Sequence, residues 1–247
     1  MVLYDFETDP SVPFTCAVPI NSIADIVTLC KDRSAPVNPN AEVTTLLQQK
    51  FGNLPSVPSQ CFMSFSYLLA RILPELAFLE SITDVPGVNA TTGLRVKYRS
   101  VGLPIGAGLG SSAAVSVAVA GALLRLRLKL FGEVGVLSSH LIVNIASPLK
   151  DGSERKLSYD SLDTDCPYWF LATVNAWAYA SEVVIHGTPS GLDNTTSCYG
   201  SAMKYSKASG QFEQLDKLPP LNVVLTNTKV PRSTKLLVAG VRVKHDK

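Results

Sequence analysis

The chain has 247 residues, of which 46% are hydrophobic and 17% are charged, and its formal net charge is +2. This composition is typical of a globular protein that buries a sizeable core, in one large domain or two small ones. The basic residues are scattered and form no run that could follow a phosphate backbone, so nucleic acid is not expected as a partner.

The first half of the chain predicts a short strand followed by a group of helices. The strand and a Pro-containing extended segment occupy 2–12, and the first strong helical pattern lies between 20 and 30. A second helix is predicted over about 41–51. A third, richly apolar helix covers about 60–79 and is interrupted near Pro74. We expect these helices to pack as one group.

Strands and helices alternate in the second half. Apolar and polar residues alternate over 94–101 and predict a half-exposed strand. A long helix is predicted from Ser112 to about 130, and another from about 168 to 185. Two or three strands are predicted over 202–230, one of them at 222–226. This order of elements indicates an α+β fold or a two-layer α/β arrangement.

Cysteine usage and the absence of membrane signals indicate the compartment. The five cysteines are odd in number, widely separated and without a CxxC or Cys/His pairing, which fits a reduced cytoplasm. The longest stretch of small apolar residues, 113–124, is too short to cross a bilayer. The first ten residues lack the basic and apolar regions of a signal peptide. We therefore expect no membrane association.

A glycine-rich turn separates the strand at 94–101 from the long helix. It reads Gly106, Ala107, Gly108, Leu109, Gly110, Ser111 and Ser112. Glycines let the backbone wrap closely around an anion, and a helix N-terminus directs N–H groups and its positive dipole end toward it. The turn lacks the Gly-Lys-Ser/Thr of a Walker A loop and the downstream acid of a dinucleotide fingerprint. It is therefore another class of phosphate site, or a plain tight turn with Ser111 as N-cap.

Two acidic residues lie near the end of the helix at 168–185. Glu182 falls in the last turn, where an acid opposes the helix dipole unless a cation compensates it. Asp193 follows in a loop that is rich in turn-forming residues. Taken alone, Glu182 is equally explained as a solvated helix face, and Asp193 as an N-cap or Asx turn.

Three motifs resemble those of the GHMP kinases. Pro104 and the run GAGLGSSAA at 106–114 match the second signature of this family, although Ile105 stands where the family often has Pro or Leu. The run HGTPSGLDN at 186–194 and the run LTNTKVPRST at 225–234 are similar to those of family members that phosphorylate mevalonate. The chain is therefore identified as similar to small-molecule kinases of this family.

The resemblance implies a substrate, cofactors and residue roles. ATP and Mg²⁺ would be the cofactors and mevalonate the acceptor, in the synthesis of isoprenoid and sterol precursors. The implied assembly is a homodimer. The turn at 106–112 would cradle the ATP phosphates, Ser112 and Glu182 would hold Mg²⁺, and Asp193 would be the general base or positioning carboxylate. His186, Thr188 and Ser190 would line the substrate or nucleotide pocket, and Arg232 and Thr234 would hold the mevalonate carboxylate and adjacent groups. For His186, a structural hydrogen bond is the alternative.

The resemblance also implies a fold and its limits. A ribosomal protein S5 domain 2-like N-terminal domain is expected over 1–220, and the start of the family's C-terminal domain over 221–247. The family's Pro-Gly-Lys strand and its late Gly-Ala-Gly-Gly-Gly-Gly turn do not occur here, so we expect a chain truncated at both ends whose phosphoryl transfer is impaired. A noncatalytic nucleotide-binding product and a GHMP kinase for another small molecule are the alternatives.

Overall fold

A computed structural model gives the fold of most of the helical part of the chain. It describes residues 2–7, 14–18, 23–30, 39–78, 94–100, 103, 105, 108–131, 168–206, 210–215, 219, 222, 224 and 226. The strands within these residues are β1 (Val2–Glu7), β2 (Phe14–Val18), β3 (Leu94–Arg99), β4 (Ala202–Ser206) and β5 (Gln211–Leu215). The helices are α1 (Ala24–Leu29), α2 (Ala41–Phe51), α3 (Ser56–Ile72), α4 (Ser111–Phe131), α5 (Tyr168–His186), α6 (Leu192–Tyr199) and a 3-10 helix (Pro74–Phe78).

The described strands form two small sheets. β1 lies in the centre of the first sheet, antiparallel to β2 and parallel to β3. In β3, Val96 and Tyr98 are half-buried against the core whereas Lys97 is exposed, as the alternating pattern predicts. β4 and β5 form an antiparallel hairpin in which the rings of Tyr205 and Phe212 stack at 4.7 Å. Small sheets beside a larger helical core make an α+β fold.

The core is built around α3. All residues from 61 to 70 are buried, because α1 and α2 cover this helix on one side while α4 and α5 pack against it elsewhere. α2 contributes Val43, Leu47 and Phe51, which recur every four residues and therefore share one face. A helix that is buried on all sides, as α3 is over residues 61–70, needs neighbouring helices on every side.

α4 and α5 approach each other closely because small residues lie between them. Ala120 on α4 and Ala178 on α5 are fully buried. A Cβ atom added to Gly121 would lie 3.9 Å from a methyl group of Val174, which is ordinary van der Waals contact. This close packing brings the first turn of α4 beside the last turns of α5.

No described helix is long and apolar enough to span a membrane.

Arg127 ties the C-terminal half of α4 to the end of α3. Its Nη1 donates to the carbonyl of Ile72, the last residue of α3, at 2.6 Å. Nη1 and Nη2 also donate to the two carboxylate oxygens of Glu75, at 2.9 and 3.1 Å. A bidentate guanidinium–carboxylate pair is geometrically specific, and the carbonyl at a helix C-terminus would otherwise lack a helical partner. The clamp, Arg127 with Ile72 and Glu75, fixes the far end of α4.

Most predicted helices are confirmed. α2, α4 and α5 agree with the predictions within about two residues at each end. α3 begins earlier than predicted, and the interruption at Pro74 is confirmed as a change to 3-10 helix. α1 is shorter than the predicted 20–30 helix, since within the described residues it covers only Ala24–Leu29 after a 3-10 residue at Ile23.

Three expectations about local structure were wrong or incomplete. β2 was not predicted: the Pro-containing extended segment was expected to end at residue 12, although strands can follow prolines at the edge of a sheet. α6 was not predicted, because its Asn and Thr residues are poor helix formers. Of the predicted strand at 222–226, the described residues 222, 224 and 226 are not in a strand, and Val224 is 90% exposed and so lacks the packing that a strand residue needs. Residues 227–247 lie outside the described residues, and the domain boundary near 220 stays a prediction.

The N-cap of α2 gives a test of local stability. Asn40 Oδ1 accepts a hydrogen bond from the Val43 amide at 2.8 Å. We expect Asn40→Ala to lower the free energy of unfolding by about 1 kcal/mol, because that amide loses its side-chain acceptor. Urea denaturation measures the change, and Asn40→Asp is the matched control that keeps the cap. Equal stability of Asn40→Ala and the wild type would contradict the assignment.

Candidate functional site

The turn before α4 has the backbone geometry of an anion-binding loop. Gly108 and Gly110 have φ values of +76° and +73°, which an L side chain adopts only with strain. The Ala114 amide donates to the Gly110 carbonyl at 3.0 Å and so begins the helical ladder. The earlier N–H groups of a helix have no acceptor within it and point outward from its end. Of the predicted phosphate loop, residues 106 and 107 lie outside the described residues.

Ser112 and Glu182 meet at the first turn of α4. The Ser112 Oγ donates to Glu182 Oε2 at 3.2 Å. The His186 Nε2 lies 3.2 Å from the same Ser112 Oγ and 3.6 Å from Glu182 Oε2. Because Ser112 has one proton and gives it to Glu182, His186 donates from Nε2 in this network. The structure thus brings both predicted metal ligands together, with His186 beside them.

Glu182 is a buried acid. It is 4% exposed, although it lies near the solvent end of α5. Burial raises the pKa of its carboxyl, and the nearby charge of Asp193 acts in the same direction. His186 and the hydrogen bonds from Ser116 and Ser112 oppose that rise. A buried carboxylate is costly unless it is paired with a cation or hydrogen-bonded on both oxygens, so Glu182 is not the solvated helix face that the sequence also allowed.

A line of buried serine hydroxyls, which the sequence analysis missed, leads from the core to Glu182. Ser116 Oγ donates to Glu182 Oε1 at 2.9 Å and lies 3.2 Å from Ser181 Oγ. Ser181 Oγ in turn lies 2.6 Å from Ser64 Oγ on α3. All three hydroxyl-bearing residues are fully buried. The signal in the sequence was the spacing of Ser112 and Ser116, which places both on one face of α4.

Asp193 lies beside the glycine turn. It is the second residue of α6, and its side chain is exposed. A Cβ atom added to Gly110 would lie 3.8 and 3.9 Å from the Cβ and Cγ atoms of Asp193, so the carboxylate stands directly beside the turn. The sequence placed Asp193 in a loop. The first turn of a helix is a favourable position for an acid, because the helix dipole is positive there.

Two buried asparagines attach α6 to α5. The side-chain amides of Asn194 and Asn175 lie 2.6 Å apart, and Asn175 Nδ2 donates to Thr195 Oγ1 at 3.3 Å. Asn194 and Asn175 are each 2% exposed, so these polar groups depend on one another for hydrogen bonds. The contact holds the first turn of α6, and with it Asp193, at a fixed position on α5.

The remaining predicted pocket residues fall into two groups. Thr188 and Ser190 are exposed in the connection between α5 and α6. The Ser190 Oγ accepts a hydrogen bond from the Leu192 amide at 3.2 Å, which stabilises the start of α6. Arg232 and Thr234 lie outside the described residues, so their pocket role stays a prediction.

A cavity of about 290 Å³ opens beside Asp193. Its wall combines the glycine turn, one face of α6 and the start of β4. The lining residues are Leu109, Gly110, Leu192, Asp193, Thr196, Ser197 and Met203. A concave site that combines one carboxylate and two hydroxyl side chains with leucine and methionine suits a small polar molecule.

The asparagine contact between α5 and α6 can be tested by its removal. We expect Asn175→Ala to lower the free energy of unfolding by about 2–4 kcal/mol, because it leaves the Asn194 amide and the Thr195 hydroxyl buried without their partner. Thr195→Val is the matched control, with an expected loss of about 1 kcal/mol, since it removes only the longer of the two contacts. Urea denaturation monitored by circular dichroism measures both. A loss under about 0.5 kcal/mol for Asn175→Ala would show that the contact does not hold α6.

Comparisons with known proteins found a matching family model and several similar proteins. Residues 75–147 match the GHMP kinases N terminal domain, a region that includes the glycine turn and α4. A mevalonate kinase of Mus musculus is 45% identical over 98 residues, which are 40% of this chain and 22% of the mouse protein. The mevalonate kinase of Homo sapiens is 44% identical over 100 residues, with the same two shares.

A longer match is found in a fungus. The mevalonate kinase of Candida albicans is 35% identical over 162 residues, which are 62% of this chain and 31% of the fungal protein. The matched segments thus span between about a fifth and a third of these relatives. Residues 75–147 therefore match the GHMP kinases N terminal domain, and part of the chain is similar to mevalonate kinases.

Proposed function

We propose that this chain forms the triphosphate-binding and metal-binding part of an enzyme that phosphorylates mevalonate to 5-phosphomevalonate with ATP. The observation that carries the proposal is the meeting of Ser112, Glu182 and Asp193 around the glycine turn at the start of α4. These three side chains come from three helices and are distant in sequence. Neither a solvated helix face nor an isolated turn accounts for their convergence.

The described residues fit a magnesium ion. Mg²⁺ prefers oxygen ligands and keeps several waters, so it needs only one or two protein ligands beside phosphate oxygens. Ser112 Oγ and Glu182 Oε2 are such ligands, and the buried carboxylate gains a counter-charge when a cation is present. Among the described residues no group of three His, Cys, Asp or Glu side chains could hold a metal alone. That agrees with an ion bound together with its nucleotide. When bound, the ion would neutralise charge on the phosphate oxygens.

The chain's own groups supply the other requirements of phosphoryl transfer. The amides at the start of α4 bind and orient the triphosphate, whose negative charge the helix dipole favours. Asp193, beside the turn, accepts or orients the proton of the acceptor hydroxyl. The cavity next to Asp193 is the proposed position of the acceptor. Arg232 and Thr234 are proposed to bind its carboxylate.

The setting proposed for this reaction follows the family resemblance. We place the protein in the cytoplasm, as a homodimer, with mevalonate and ATP as its ligands. Its five dispersed cysteines agree with a reducing compartment.

Two measurements on the chain test the proposal. ADP release with mevalonate, ATP and Mg²⁺ measures turnover, and isothermal titration with ATP and Mg²⁺ measures binding. We expect binding together with slow mevalonate-dependent ADP release, in line with the impaired transfer that the sequence predicts. Binding without release would favour the noncatalytic nucleotide-binding alternative. Release with a different acceptor would favour another GHMP kinase. If the chain shows no ATP binding and no ADP release, the proposal is contradicted.

Asp193 provides the sharpest single substitution. We expect Asp193→Asn to lower kcat at least about 100-fold, because the amide cannot accept the hydroxyl proton, while ATP binding is retained. Asp25→Asn is the matched control, since Asp25 is also an exposed aspartate in the second position of a helix. The control should keep wild-type kcat. Turnover that survives Asp193→Asn would remove the role assigned to this carboxylate.

A further inference from the structure

We propose that Ser116 is a positioning residue that holds the Glu182 carboxylate for the metal, supported from behind by Ser181 and Ser64. The inference rests on the proposed function, because it assigns a task to residues that do not reach the nucleotide themselves. It starts from two contacts on one carboxylate. Ser116 donates to Oε1 at 2.9 Å, and Ser112 donates to Oε2 at 3.2 Å.

The direction of each hydrogen bond in this serine line follows from proton counting. A carboxylate only accepts, so Ser116 gives its single hydroxyl proton to Glu182. In the 3.2 Å contact between Ser116 and Ser181, the donor must then be Ser181. In the 2.6 Å contact between Ser181 and Ser64, the donor must be Ser64. All three O–H dipoles therefore point along one path toward the carboxylate, and each polarises the next.

This line fixes the rotation of the carboxylate. The terminal torsion of a glutamate side chain is soft, so a single hydrogen bond leaves the plane of its oxygens poorly defined. With Oε1 held by Ser116 on the core side, Oε2 is the oxygen that faces Ser112 and His186. The line crosses α3, α4 and α5, and its three serines are fully buried. The packing of the core therefore determines the orientation of one proposed ligand atom, Glu182 Oε2.

Ser66 shows that burial alone does not place a serine in a line of hydrogen bonds. Ser66 lies on α3 two residues after Ser64 and is also fully buried. Its Oγ has no hydrogen-bond partner in the described part of the protein. Ser66→Ala is thus a matched control, because it removes a buried hydroxyl from the same helix without affecting the line to Glu182.

The test measures Mn²⁺ binding, with Mn²⁺ in place of Mg²⁺, by electron paramagnetic resonance of the chain with ATP. We expect Ser116→Ala to raise the dissociation constant for Mn²⁺ about tenfold, as is typical when a partner of a metal ligand is removed. ATP affinity without metal should stay within about twofold, since the glycine turn is unchanged. Ser66→Ala should leave both constants at their wild-type values. A thermal melt of each variant establishes that it is folded.

Each outcome bears on the proposal. Wild-type Mn²⁺ affinity in folded Ser116→Ala would overturn it, as would an equal loss in Ser66→Ala, which would indicate a general packing effect. If Ser116→Ala does not fold, Ser181→Ala takes its place, because it removes the donor behind Ser116 and keeps the Ser116–Glu182 bond; unchanged Mn²⁺ affinity there would overturn the proposal. A wild-type chain that binds neither ATP nor Mn²⁺ would overturn the proposed function and this proposal together. Wild-type binding with an unaffected Ser116→Ala would overturn only the role of Ser116.

Discussion

The burial of the Glu182 carboxylate is the constraint on which the rest of the structure depends. An ionised acid that is 4% exposed is tolerated only when both oxygens are hydrogen-bonded or a cation lies beside it. The hydrogen bonds come from Ser112 and Ser116 on α4, and their support comes from α3. The three central helices must therefore be in register with one another before the acid can be accommodated. The core and the candidate site are one structural unit.

A second acid, Asp193, lies in the same region but differs from Glu182 in its exposure to solvent. Asp193 is exposed and sits at the favourable end of α6, whereas Glu182 is enclosed. Burial first, and then the charge of Asp193, raise the pKa of Glu182, so the two carboxylates are unfavourable neighbours without a cation. Phosphate groups at the glycine turn would add further negative charge. A divalent ion is the simplest species that makes this grouping favourable, which agrees with the metal site we propose.

The sequence predicted the parts of this structure that depend on local pattern. α4 and α5 are long and apolar, and the glycine turn has a distinctive composition, so each was located within about two residues. The line of serines could not be predicted, because Ser64 and Ser181 are 117 positions apart and only the folded core brings their hydroxyls together. α6 was missed for a related reason: its stability comes from the buried amides of Asn175 and Asn194 rather than from its own propensity. Tertiary contacts, not local preference, decided both.

Because the Arg127 clamp holds the C-terminal part of α4, a small tilt there displaces the N-terminal end of the helix. α4 has 21 residues and is therefore about 31 Å long, with the clamp near one end and Ser112 at the other. Ser112 lies about 22 Å along the helix from Arg127, so a tilt of roughly 3° about Arg127 would displace Ser112 by about 1 Å. Displacements of that size at a reacting centre are enough to lower rates about 100-fold. The guanidinium contact, although far from the candidate site, thus contributes to the position of the opposite end of the helix, together with the packing of α4 against α3, α5 and α6.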